Sequence, residues 1–310
     1  DQNVKTADLR DIQLALQLRP NHRPEFYIGF DFADLETVYI RDVPALSGAS
    51  GRASLYDHRF VIHAERGHVE AEEGGFLNVA GTSFIIPDVR VKESPAEVML
   101  QSRSTITAAL SLLDSPPFRF LQKAGQPVTV AEGQAELGGQ LVFLLKKQLT
   151  AEEVAFDVTG TLSAVQSDTL LKGRRLAAET LEIEASNTGL EIGGAAQVGD
   201  VPVRGSWNIA IGGNPQGESR VRGQIELSQR FLEEFKIGLP PGSVTGAGQG
   251  VMEIGFAKGQ APEFALSSDL AGVGLRLPQL DWALGEAQLG RLDVTGRLGS
   301  VPEITALGLS

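Results

Sequence analysis

The chain has 310 residues, 42% of them apolar and 21% charged, a balance too hydrophobic for a disordered polymer. Lys and Arg number 27 against 39 Asp and Glu, a net charge of −12 with no long basic run, which argues against nucleic acid as a partner. Absence of cysteine excludes disulfide staples and thiolate metal sites, while 36 Gly and 15 Pro beside 6% aromatics point to many short strands joined by turns.

No basic region followed by an apolar one begins at Asp1, so no signal peptide is read there, and the start and the closing LGLS are expected to be cuts through a longer polypeptide. The first clear strand is FYIGFDF, with Phe26, Ile28, Phe30 and Phe32 on one face and Tyr27, Gly29 and Asp31 on the other. His58, His63 and His68 follow. A strand spacing of five would put His63 and His68 on opposite faces, and HAERGH is not the H-E-x-x-H zinc motif, so no metal site is assigned. Asp57 and His58 lack a nucleophile motif nearby.

Helical spacing appears in STITAALSLLDSPPFRFLQKAG through Ile106, Leu110 and Leu113, with Asp114 or Ser115 as a cap before Pro116 and Pro117 and Gly125 as a stop. GGQLVFLL, just before Lys146, is the most continuous apolar stretch and is far short of the roughly 20 residues of a membrane-spanning helix. Strand alternation returns in VAFDVTG (Val154, Phe156, Val158) and in TLEIEASNTGLEIGG, read as a hairpin with Leu181, Ile183, Leu190 and Ile192 on an oily face and Glu182, Glu184 and Glu191 opposite. These glutamates are read as solvating charges. SWNIAIGG adds Trp207, Ile209 and Ile211, and GGNPQGES is a turn. A second helix is read in SQRFLEEFKIGLPPG through Phe231, Leu232 and Phe235, closed by Gly238 and Pro240. TGAGQGVMEIG lacks the spacing of a phosphate loop, because Val251 stands where the last glycine is required, so Gly246, Gly248 and Gly250 are assigned to close strand passage.

The expectation is mainly β: an antiparallel meander of about 18 to 22 strands with two or three short helices. RFLQKAGQPVTVAEGQ at Arg119 is similar to RFLEEFKIGLPPGSVTGAGQG at Arg230, an offset of 111 that also carries Gly139 onto Gly250 and Lys147 onto Lys258. The whole of 1–310 is therefore read as one elongated segment with internal repeats of about 111 residues, at 26–136, 137–247 and a partial 248–310, the helices falling at repeat boundaries. So many strands cannot lie in a flat open sheet, and so few helices cannot roof an oily face. A two-sheet sandwich, a closed barrel and a curled trough all answer the pattern.

Several stretches, taken in order, resemble the AsmA-like bacterial envelope proteins, the superfamily that includes TamB and YhdP. They are GRASLYDHRFVIHAERGHVEAEEGGFLNVAGTSFIIPD, LSLLDSPPFRFLQKAG, TGLEIGGAAQVGDVPVRGSWNIAI and FALSSDLAGVGLRLPQLDW, together spanning most of 50–310. The family's W-K-P continuation is here DWALGE, Asp281 to Glu286, a local departure. The resemblance implies a long curved antiparallel sheet forming a taco-shaped apolar groove. It also implies a bridge-like, non-enzymatic role in moving phospholipid across the periplasm toward the outer membrane, with the full-length protein anchored in the inner membrane. No cofactor is implied. Phospholipid is the partner expected, and the groove lining is assigned to Phe26, Ile28, Phe30, Phe32, Val154, Phe156, Val158, Leu181, Ile183, Leu190, Ile192, Trp207, Ile209 and Ile211. Two alternatives stand beside it: a periplasmic factor that pairs its exposed edge with strands of outer-membrane β-barrel proteins, and a structural β-sandwich array.

Overall fold

The computed structural model describes residues 4–38, 44–116, 119–146, 149–171, 173–211, 218–298 and 302–310; Pro117, Lys147 and residues 212–217 of the GGNPQGES turn lie outside them. The chain is mainly β, with one 19-stranded antiparallel sheet and three short helices, and it divides into two compact units, residues 1–163 with 184–187 and residues 164–183 with 188–310.

The first unit opens with β1 (Val4–Gln17), β2 (Glu25–Thr37), β3 (Leu46–Tyr56) and β4 (Arg59–Glu70), each antiparallel to the one before. β5 (Phe76–Asn78) and β6 (Ser83–Ile86) pair with opposite ends of β4 and act as one interrupted strand. β7 (Pro95–Thr105) then leads into the helices α1 (Ile106–Leu113) and α2 (Phe120–Ala124) before β8 (Glu132–Leu144) returns along it. The hydroxyl of Thr105 caps α1 by accepting from Ala108 N at 3.0 Å while donating to Gly74 O at 2.8 Å. Asp114 closes α1, and its carboxylate accepts from Gln122 N in α2; Gly125 ends α2 in the left-handed region, as a helix stop requires. β9 (Ala155–Leu171) and β10 (Arg174–Ser186) each run from one unit into the other.

Strict alternation is not kept through the long strands of the first unit. In β1 to β4 a bulge interrupts it. Asp11 and Asp34 sit at positive φ (50° and 51°), as does Gly48, and the register slips between Arg10 and Gln13, between Phe32 and Leu35 and between Ser47 and Ser50. In β4 the extra residue lies between Ala64 and Arg66, since Gly51 faces Ala64 and Ser50 faces Arg66. Each bulge lets apolar residues separated by three positions, such as Phe32 and Leu35, point the same way. One consequence overturns the sequence expectation for the histidines. Because Ala64, then Val69 and Ala71, are buried on either side of the bulge, His63 and His68 share the opposite, polar face.

The second unit contains β11 (Gly189–Val198), β12 (Val201–Ala210), β13 (Ser219–Ser228), the helix α3 (Gln229–Glu234) and β14 (Val244–Phe256). β15 (Glu263–Ser268) and β16 (Val273–Leu277) pair with opposite halves of β14. β17 (Trp282–Leu284) extends from β16, and β18 (Leu292–Leu298) and β19 (Pro302–Leu309) extend from β15. Its core is Val201, Ile225, Leu227, Val244, Leu270 and Val273, all buried, with Phe231, Leu232 and Phe235 packed against it. Arg174 pins that helical lid. Its guanidinium lies 4.8 Å above the Phe235 ring and donates to Glu234 O from Nε (3.2 Å) and Nη2 (2.9 Å).

Candidate functional site

Lateral register shows which side chains share a face, something a single strand cannot do. In the second unit Ile192 faces Trp207, Trp207 faces Val221, Val221 faces Ile254 and Ile254 faces Phe264, so one apolar row crosses five strands. Leu190 and Ile209 form the next pair outward. All seven residues are half-buried, and none belongs to the cluster around Val201 and Ile225. Between this strip and that core runs a row of glycines, Gly194 opposite Gly205 and Gly205 opposite Gly223. A Cβ on Gly223 would come 2.4 Å from Arg204 O and 2.7 Å from Gly205 Cα, so β12 and β13 approach as they do only because both positions lack a side chain. Sealed core, glycine row and open strip follow one another along the strands.

The reverse face of the same strands is charged. Glu191 faces Asn208, Asn208 faces Arg220, and Glu263 faces Arg297. Arg220 pairs with Glu253 at 3.1 Å and Arg297 with Glu263 at 3.3 Å.

The first unit likewise has an apolar and a charged face, but there Phe30, Phe60 and Ile62 pack against the buried Phe32, Ala49 and Ala53. Leu14, Ile28, Leu55, Phe60 and Ile86 form one row, and Phe30, Ala53, Ile62, Phe84, Val98 and Leu141 the next. Phe156 and Val158 lie in β9 on the side of Gly139, whose Cβ would meet Val158 Cα at 2.7 Å. The opposite row runs Arg10, Asp31, Arg52, His63, Ser83, with Arg52 3.6 Å from both Asp31 and Glu65. On that polar side a hollow of about 530 Å³ is lined by Asn78, Gln101, Arg103, Glu136 and Thr161, and its main charges satisfy each other, Arg103 donating to Glu136 at 2.7 and 2.8 Å.

Of the fourteen residues assigned to a lining, Phe26, Ile28, Phe30, Phe156, Val158, Leu181, Ile183, Leu190, Ile192, Trp207 and Ile209 are half-buried strand residues. Phe32 differs: it is 5% exposed and packed with Ala49 and Ala53. Val154 precedes β9, and its carbonyl accepts from the Asn187 amide, whose oxygen accepts in turn from Phe156 N, both at 2.7 Å. Ile211 follows β12 and is 37% exposed. Sequence reasoning missed Val221, Ile254, Phe264 and Leu55, although each alternates with polar or small residues, the signal that identified the others, and it missed Phe60, Ile62 and Phe84, whose neighbours Val61 and Ile85 are themselves apolar and blur the alternation.

Glu182, Glu184 and Glu191 are exposed. His63 Nδ1 lies 2.9 Å from Ser83 Oγ, His58 Nε2 lies 3.2 Å from Asp57, and the His68 ring meets Phe76 edge-on. Among the described residues no group of three His, Asp or Glu is arranged to hold a metal. Gly248 and Gly250 lie where a Cβ would strike Ala271 O and Leu266, so they serve packing of β14. No described helix is long and apolar enough to cross a membrane.

Compared with known proteins, the chain matches no family model, no curated protein and no solved structure.

Proposed function

We propose that this chain is a non-enzymatic section of a lipid conduit, an AsmA-like protein holding phospholipid acyl chains in an apolar, taco-shaped groove across the periplasm between inner and outer membranes. The observation that carries the reading is the strip Ile192, Trp207, Val221, Ile254 and Phe264: five neighbouring strands place large apolar side chains on one face, half-buried and apart from the core. Such a surface is costly unless something covers it. A two-chain phospholipid with about 30 methylenes, at about 0.8 kcal/mol each, loses roughly 24 kcal/mol on full exposure to water, and an apolar face offsets most of that. Lateral similarity of successive rows avoids a deep trap, so a bound chain can slide. The charged reverse face keeps the same strands in water.

A second reading, a factor that pairs with strands of outer-membrane proteins, draws on β1. β1 pairs with β2, and its Leu9, Leu14 and Leu16 are 53%, 74% and 65% exposed.

A photoreactive phenylalanine analogue at Ile254, with a control at Asn208 on the charged face, separates the two. Expected in cells is phospholipid crosslinked from position 254 and not from 208, together with phospholipid on the gently purified protein by native mass spectrometry. Equal lipid labelling from both positions, or protein adducts alone from position 254, overturns the conduit.

A further inference from the structure

One end of the first unit collects the turn 18–24, the turn at Asp57 and His58, the loop 87–94 and the residues after β8. Hydrogen bonds join them into one rim: Asp57 N donates to Phe26 O (2.9 Å), Val89 N to His58 O (2.9 Å) and Leu145 N to Ser94 O (3.0 Å). Over residues 18–25, 57–59, 87–94 and 145–146 there are six Lys and Arg against four Asp and Glu, a net of +2 on a chain of net −12. Some of these charges are already engaged. Asp88 takes two bonds from Arg90 (2.6 and 2.9 Å), which hold its carboxyl well below the usual carboxylate range, and Lys146 bonds Glu153. Glu25 accepts from the Tyr56 hydroxyl at 3.1 Å. The side chains of Arg19, Arg23 and Lys92 are exposed and make no hydrogen bond or ion pair among the described residues, whereas Arg59, opposite Tyr56 and next to Phe60 in β4, lies on the charged face.

The apolar rows begin directly inside this rim, at Leu16 facing Phe26 and at Leu14, Ile28, Leu55, Phe60 and Ile86. Uncommitted cations beside the end of an apolar face complement an amphiphile with an anionic head, a phosphate-bearing lipid among them. Resting on the conduit reading, we infer that Arg19, Arg23 and Lys92 form a headgroup site that binds the phosphate of a lipid whose tails lie on the first unit's apolar rows, and that it favours headgroups of net negative charge.

The chain is equilibrated with vesicles of equal phosphatidylglycerol and phosphatidylcholine at low salt, recovered, and its bound lipid counted by mass spectrometry. The expected result is phosphatidylglycerol enriched about fivefold or more, the effect of roughly one cation at an anionic lipid surface, and lost at high salt. In the variant R19Q/R23Q/K92Q total lipid per chain should stay the same while the enrichment disappears. Lipid bound without headgroup preference, or a preference that survives in the variant, overturns the headgroup site and leaves the conduit intact. Protein that takes up no lipid removes both. Calorimetry with inorganic phosphate is the third arm: binding as tight as that of the lipid marks a free-anion site and overturns the inference, and absence of heat supports it.

Discussion

At the scale of single residues, backbone irregularity does as much as hydrophobicity to make one face apolar. Asp34 sits at φ 51° between Phe32 and Leu35, and its carbonyl accepts from the Thr6 hydroxyl at 3.2 Å across the β1–β2 pair. Left-handed backbone is tolerable for Asp, free for Gly and costly for a β-branched residue. Asp34→Val is therefore expected to lower stability by about 1 to 2 kcal/mol, and Asp34→Gly to leave it equal or slightly raised, in chemical denaturation. Equal loss in both variants would mean that the Asp side chain, not its backbone conformation, matters at this bulge. Alternation in FYIGFDF was readable from the letters, whereas the need for a reset after Phe32 was not. A bulge is a relation between two strands, and only the pairing of Phe32 with Gly51 and of Leu35 with Ala49 makes it visible.

Single elements tell a similar story. The helices were legible because Ile106, Leu110 and Leu113 keep helical spacing and because Gly125 supplies a left-handed stop. What anchors α3 was not, since the Arg174 contact spans 60 residues of sequence. A second anchor is local: the Glu226 carboxylate accepts from Ser228 Oγ (2.7 Å) and from Arg230 Nη2 (2.8 and 2.9 Å), tying the end of β13 to the first turn of α3. The bond from Ser228, then that from Arg230, lowers the Glu226 pKa against an opposing burial cost. A depressed carboxylate contributes stability that is complete above its unfolded value, about 4.3, and that fades as pH falls through the folded value. Glu226→Gln should accordingly cost about 1 kcal/mol at pH 7, with Arg230 half-exposed, and the gap from the unsubstituted protein should close toward pH 3. A gap that stays constant across that range would assign the loss to packing.

For the whole molecule, the question is whether rows seen strand by strand act as a surface for acyl chains. The sequence made the oily and charged faces legible but not their lateral continuity, because the partner of Trp207 is fixed by turn lengths and by the glycine approach at Gly205 and Gly223, which a single strand does not encode. That continuity is what a fluorescence measurement can interrogate, since the chain has only two tryptophans, Trp207 and Trp282. With Trp282→Phe, Trp207 becomes the sole tryptophan emitter, within the strip. Phospholipid brominated midway along its acyl chains should quench it strongly and shift its emission to shorter wavelength, while the same lipid brominated only on a water-soluble headgroup analogue should not. Replacing Ile254, two strands away in the same row, with Asp places a charge where tails would lie, which costs several kcal/mol in an apolar contact. Quenching should then fall severalfold with the sheet intact by circular dichroism. A Trp207 unaffected by brominated tails, in protein shown to carry lipid, would place the acyl chains elsewhere and leave the strip as a face awaiting a protein partner.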